Sequence, residues 1–144
     1  MTQRKEKKIM GKEDGLKRVS TSEAPSAIGP YSQGVVAGDF LFISGQLPLD
    51  PATGEFVQGN IEEKTRRVLT NIKAIAEAAG TDLNHAVKTT IFLKDLRNFA
   101  SVNAIYAEYF KDPFPARSTV EVSSLPKGGE IEIEAVLYVP RSKK

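Results

Sequence analysis

After Asn60, apolar side chains fall at Val68, Leu69, Ile72, Ile75, Ala76 and Ala79 and stop at Gly80. Spacings of three and four residues put them on one stripe of an α-helix. Asn60 with Glu63 three residues on has the form of a reciprocal N-terminal cap, and Gly80 marks the other end. From Ala86 to Lys94 the period changes to two, with Val87, Thr89, Ile91 and Leu93 on one side and Lys88, Thr90, Phe92 and Lys94 on the other. Alternation of that kind predicts a strand. A helical period returns near Asp95, carried by Leu96, Phe99, Val102, Tyr106, Tyr109 and Phe110, and Asp112-Pro113 ends it. Arg117–Ser123 and Glu130–Val139 alternate again and are joined by Leu125-Pro126-Lys127-Gly128-Gly129, which predicts a hairpin. Upstream, Phe40–Ser44 reads as a buried strand halted at Gly45, Leu47–Gly54 as a turn-rich loop, and Ala24–Tyr31, with Pro25, Gly29 and Pro30, as an extended, turning segment.

Strands and two amphipathic helices in this order predict an α+β fold, a two-layer arrangement with one sheet and two helices on one of its faces. The other face would carry Phe92, Val136 and Tyr138, too apolar for open solvent, and oligomerisation is the simplest cover. Residues 1–16 are polar and aperiodic and read as a flexible basic extension; 17–140 read as a single domain and 141–144 as a basic tail.

At 144 residues, with 40% hydrophobic and 26% charged residues, the chain has ordinary globular composition. Its net charge of +2 is unevenly spread: residues 1–18 hold seven Lys or Arg against three acids, the tail adds three more bases, and Val19–Pro140 is left with a net of −5. An acidic body argues against nucleic acid as the principal ligand, because such affinity rests on bases neutralising phosphates. No apolar run is long enough to span a bilayer and no signal peptide is visible, so no membrane association and a soluble, cytoplasmic protein are expected. Absence of cysteine and a single histidine, His85, exclude a thiolate nucleophile and a sulfur- or histidine-rich metal site within one chain.

The one concentrated constellation is Arg117 with Thr119 beside Glu130, Glu132 and Glu134 on the predicted hairpin partner. Arginine binds carboxylates through two parallel hydrogen bonds, so this arrangement would suit a small carboxylate ligand; a solvated cross-strand ion-pair ladder explains the same spacing. Gly29-Pro30-Tyr31 is either a binding turn or a turn whose tyrosine packs. Ser44-Gly45 at a strand end either presents backbone N–H or permits a bend, and Asn103 either contacts a ligand or solvates a helix flank.

The blocks APSAIGPYSQG, FLFISGQLPLDPATGE, NIKAIAEAAG, VKTTIFLKDLRNFASVNAIYAEYF, FPARSTVEV and LPKGGEIEIEAV, in this order over Val19–Val139, resemble the Rid/YjgF family of reactive intermediate deaminases. The resemblance is strongest to the branch acting on 2-iminobutanoate and 2-iminopropanoate. It implies a chorismate-mutase-like fold assembled as a homotrimer, with active sites in the clefts between subunits and no cofactor or metal. It implies that Arg117 grips the substrate carboxylate and that Glu132 orients the attacking water. Tyr31, Ser44, Gly45, Asn103 and Thr119 would line the site, Thr119 standing where many members carry cysteine. The implied substrates are 2-imino acids and their enamine tautomers, such as 2-aminoacrylate, released by pyridoxal-phosphate-dependent dehydratases; the products are 2-keto acids and ammonia. An endoribonuclease or translation inhibitor, and a small-ligand or holdase-like binding protein without turnover, are the alternatives.

Overall fold

The computed structural model describes residues 8–11 and 15–141. In chain order its elements are β1 (Lys8–Gly11), β2 (Lys17–Ser20), β3 (Gly34–Ala37), β4 (Phe40–Gln46), α1 (Ile61–Ala78), β5 (Ala86–Leu93), α2 (Phe99–Tyr109), β6 (Ala116–Glu121) and β7 (Ile131–Tyr138). The strands form one sheet in the order β1-β2-β3-β4-β7-β5-β6. The pairings are antiparallel except β5 with β6, which run parallel. Parallel neighbours need a crossover connection, and α2 is that crossover.

Helix α1 begins as its sequence predicts. The Asn60 Oδ1 accepts from the Glu63 N–H at 2.9 Å, and the Glu63 carboxylate accepts from the Asn60 N–H at 3.0 Å. Its apolar stripe is fully buried at Val68, Leu69, Ile72 and Ile75. These side chains share one core with Leu41 and Ile43 of β4, Ile91 and Leu93 of β5, Ile131, Ile133 and Leu137 of β7, and Val102 and Ile105 of α2. Both helices therefore cover one face, giving the expected α+β layering. On the other face, Phe42 of β4, Val120 of β6 and Tyr138 of β7 remain 48%, 42% and 38% exposed, and Phe40 and Tyr138 meet edge to face at 6.1 Å.

Three expectations change. The predicted hairpin is absent: β6 and β7 do not pair, and β5 lies between them. The reason is burial. Strand β7 alternates four aliphatic residues that need helix cover along their whole length, whereas β6, with Arg117, Thr119 and Glu121 on one side, is suited to an edge. The free extension is corrected at Lys8–Gly11, which pairs antiparallel with β2, Ile9 opposite Val19. Backbone pairing at a sheet edge needs no apolar periodicity, so no pattern announced it; residues 1–7 and 12–14 of the extension, and residues 142–144 of the basic tail, lie outside the described residues. Finally, Val87 does not join Thr89, Ile91 and Leu93 inside. The β5–β7 register shifts between Ala86 and Lys88, leaving Val87 44% exposed.

Replacing Asn60 with alanine removes the cap acceptor and leaves an N–H without its side-chain partner. The expected loss is about 1 kcal/mol of stability, read from denaturant unfolding as a lower midpoint at unchanged slope.

Candidate active site

Strand β6 carries Arg117 at the edge of the sheet, opposite Thr89 of β5, which in turn lies opposite Ala135 of β7. Residues in register share a face. Thr89 is fully buried beneath the helices, so Arg117 also lies on the helix side. There Arg117 Nη1 donates to Asn103 Oδ1 of α2 at 2.7 Å, and the guanidinium carbon sits 4.8 Å from the Tyr106 ring centre and 5.5 Å from that of Phe99. Tyr106 is itself fixed, its hydroxyl 2.6 Å from that of Thr89. Burial pushes the Tyr106 phenol above its usual value and keeps it neutral, outweighing the opposing pull of the Thr89 hydrogen bond and the Arg117 charge. No acidic side chain pairs with Arg117 among the described residues. A cavity of about 520 Å³ opens here, lined by Asn103, Tyr106, Ala107, Phe114, Pro115 and Arg117. A held guanidinium with no acidic partner, set on aromatic faces, keeps N–H donors in the planar geometry that matches a carboxylate.

Glu132 lies elsewhere. It is in register with Phe92 of β5, on the face opposite Thr89, Ile91 and Leu93. The β4–β7 register slips between Ile43 and Gln46, and this bulge brings Gly45 against the Glu132 side chain. A Cβ on Gly45 would lie 2.7 Å from the Glu132 carboxyl carbon and 3.0 Å from its Cγ, so a larger residue here would displace the Glu132 side chain. Ser44 Oγ donates to the Ser32 carbonyl at 2.5 Å, tying the bulge to the segment that carries Tyr31. Tyr31, Ser44, Gly45 and Glu132 share a cavity of about 390 Å³, whose walls include Ile28, Leu47 and Pro126. Burial raises the Glu132 carboxyl above its ordinary value, and the negative charge of Glu134 adds to the shift.

The proposed site residues thus fall into two groups within one chain. Arg117 and Asn103 are together; Tyr31, Ser44, Gly45 and Glu132 are together; the groups lie on opposite faces, with β5 between their strands. Two strand spacings separate β6 from β7, roughly 10 Å. The ion-pair ladder between Arg117 and the glutamates is excluded by the same geometry, and Glu130 pairs instead with Lys64 at 3.4 Å. Thr119 Oγ1, on the helix side of β6, is buried with no hydrogen-bond partner.

The family model described as Endoribonuclease L-PSP matches residues 21–139. The chain belongs to the Rid/YjgF family. A RutC family protein from Pyrococcus horikoshii is 58% identical over 120 residues, 83% of this chain and 95% of that protein. The 2-iminobutanoate/2-iminopropanoate deaminase of Bos taurus is 49% identical over 120 residues, 83% of this chain and 88% of that protein. A conserved Rid family protein from Yersinia pestis superposes with a TM-score of 0.84 at 52% identity, covering 86% of this chain and 99% of that one.

Within this Rid/YjgF chain, two buried amides that sequence reasoning passed over hold the walls of the Glu132 cavity. Asn71 donates to the Leu47 and Leu49 carbonyls at 3.2 and 3.0 Å and accepts from the Arg67 guanidinium. Gln33 binds the segment Thr21–Pro25. For Asn71 a signal existed, since it sits inside the apolar stripe of α1, three residues after Val68 and four before Ile75. No group of three or more His, Asp or Glu side chains able to hold a metal occurs among the described residues.

Because Glu134 adds to the raised affinity of Glu132 for a proton, Glu134→Gln should shift the Glu132 titration back toward the ordinary carboxylate range. Carboxyl-carbon NMR against pH reads this directly. The sign for stability follows. A folded-state value raised above the unfolded one favours the native state at low pH, and that contribution fades as pH rises through the folded value; Glu134→Gln should reduce the fade.

Proposed function

We propose that the chain hydrolyses 2-imino acids, and the enamines in equilibrium with them, to 2-keto acids and ammonia, in clefts formed between copies of itself in a homotrimer. The observation that carries this reading is Arg117: stacked on Tyr106, hydrogen-bonded to Asn103 and without an acidic partner among the described residues, it is prepared for an anionic ligand. The deaminase name of the bovine relative supports the choice of substrate class. The exposed apolar sheet face supports self-association, and burial of Phe42, Val120 and Tyr138 against another copy would bring the open-face Glu132 cavity to a subunit boundary.

An imine carbon is already electrophilic, the more so when its nitrogen is protonated, so the chemistry asks for position and a managed proton. Arg117 holds the substrate carboxylate in two places, which converts encounter into a near-attack pose. Glu132 of a neighbouring copy holds a water against the imine carbon and takes its proton as the C–O bond forms. The proton passes to the nitrogen of the resulting carbinolamine. The hydroxyl then gives its proton to the Glu132 carboxylate as the C–N bond breaks, releasing ammonia and leaving the keto oxygen. A carboxyl whose affinity for protons is raised by burial and by Glu134 suits both taking and returning that proton. RNA cleavage is served less well. His85, the chain's one histidine, bonds to Asp82 at 3.0 Å and lies beside Tyr138, and it lines neither cavity.

Coupling a threonine dehydratase to the protein in a buffer of low nucleophilicity, and following 2-oxobutanoate, tests the reading. Wild type should accelerate keto-acid release. Arg117→Lys keeps the charge but loses the planar fork, and kcat/KM should fall by roughly two to three orders of magnitude, about 3 to 4 kcal/mol. Retention of more than about a third of wild-type kcat/KM would remove Arg117 from substrate binding.

A further inference from the structure

We infer that Gln33 is a positioning residue of the cleft, acting through Tyr31, an inference that rests on the deaminase reading. Between β2 and β3 the chain runs from Thr21 to Gln33 without helix or strand, and its tip carries Ile28 and Tyr31, 71% and 52% exposed, into the lining of the Glu132 cavity. Exposed apolar side chains on an irregular loop do not hold themselves in place. The Gln33 side chain, 4% exposed, holds the root of this loop. Its Oε1 accepts from the Thr21 N–H at 2.7 Å, while Nε2 lies 3.0, 3.2 and 2.7 Å from the carbonyl oxygens of Thr21, Ala24 and Pro25. An amide nitrogen carries two protons, so one of them is shared between two of the three carbonyls.

The same residue reaches the other wall. The Gln33 backbone carbonyl accepts from the Ser44 N–H at 3.0 Å, beside the Ser44 Oγ to Ser32 hydrogen bond, and Ser44 precedes the glycine packed on Glu132. One residue, through its side-chain amide on the loop root and its backbone carbonyl on Ser44, therefore joins the Tyr31 loop to the backbone that faces the carboxyl. An isosteric apolar side chain would leave four backbone groups without their partner and release the loop root. Loop conformations that do not present Tyr31 would then gain population, and apparent affinity falls in proportion to the competent fraction.

Gln33→Met, with and without Tyr31→Ala, tests this in the imine assay. On the wild-type background the substitution should raise KM at least tenfold with kcat within about threefold; on the Tyr31→Ala background it should change KM less than about twofold. Ile72→Val, a core truncation at a buried residue that lines neither cavity, serves as the stability control and should lower the melting temperature with KM unchanged. If Gln33→Met does not yield folded protein, Gln33→Asn, which keeps the amide but falls one carbon short of the loop carbonyls, gives the same readout. A lowered melting temperature with unchanged KM, or a KM effect fully additive with Tyr31→Ala, overturns the proposal while leaving the deaminase reading intact. A wild type that releases no keto acid above the buffer rate overturns both.

Discussion

Parallel pairing of β5 with β6 governs where Arg117 lies relative to Glu132. A strand running parallel to its neighbour must be reached by a crossover, and α2, as that crossover, lies over the face of β6 that carries Arg117. The same connection leaves β7 free to insert between β4 and β5, where its aliphatic face is covered by α1 and its acidic face points away from the helices. Arg117 and Glu132 are driven apart by one topological fact, and no rotamer change within a chain can reunite them across the sheet.

Each half is arranged for a different task. On the helix side, aromatic faces and the Asn103 amide fix a guanidinium while leaving it unneutralised, which keeps its charge available for a ligand carboxylate. On the open side, the Gly45 contact and the nearby Glu134 charge surround a carboxyl that binds protons more tightly than usual. In the proposed deamination, a cation that binds and a carboxyl that exchanges protons are complementary functions, and a small imino acid would need both within a few ångströms. The apolar residues left on the open face supply a reason for copies of the chain to come together.

Much of this was legible in the sequence. The Asn60–Glu63 cap, the α1 stripe and the alternation of β7 rest on local periodicity, and local periodicity survives folding. The hairpin between β6 and β7 failed because an antiparallel hairpin and a longer-range insertion share the same alternation; only competition for the central, doubly flanked position decides between them. Arg117 and Glu132 were recognisable by residue type and resemblance, but their faces depended on that pairing. Gln33 gave no signal of its own, since a glutamine in a polar loop looks solvated until four backbone groups are found around it. β1 escaped because edge pairing is made by backbone alone.

Sharing of each cleft by two copies is tested most directly by mixing two inactive variants, Arg117→Ala and Glu132→Gln, unfolding them together and refolding. In a homotrimer whose clefts take Arg117 from one copy and Glu132 from its neighbour, random reassembly of equal amounts restores intact clefts, and about a quarter of wild-type keto-acid release should return. Refolded mixtures that exchange subunits yet stay as inactive as the separate variants would contradict the shared cleft.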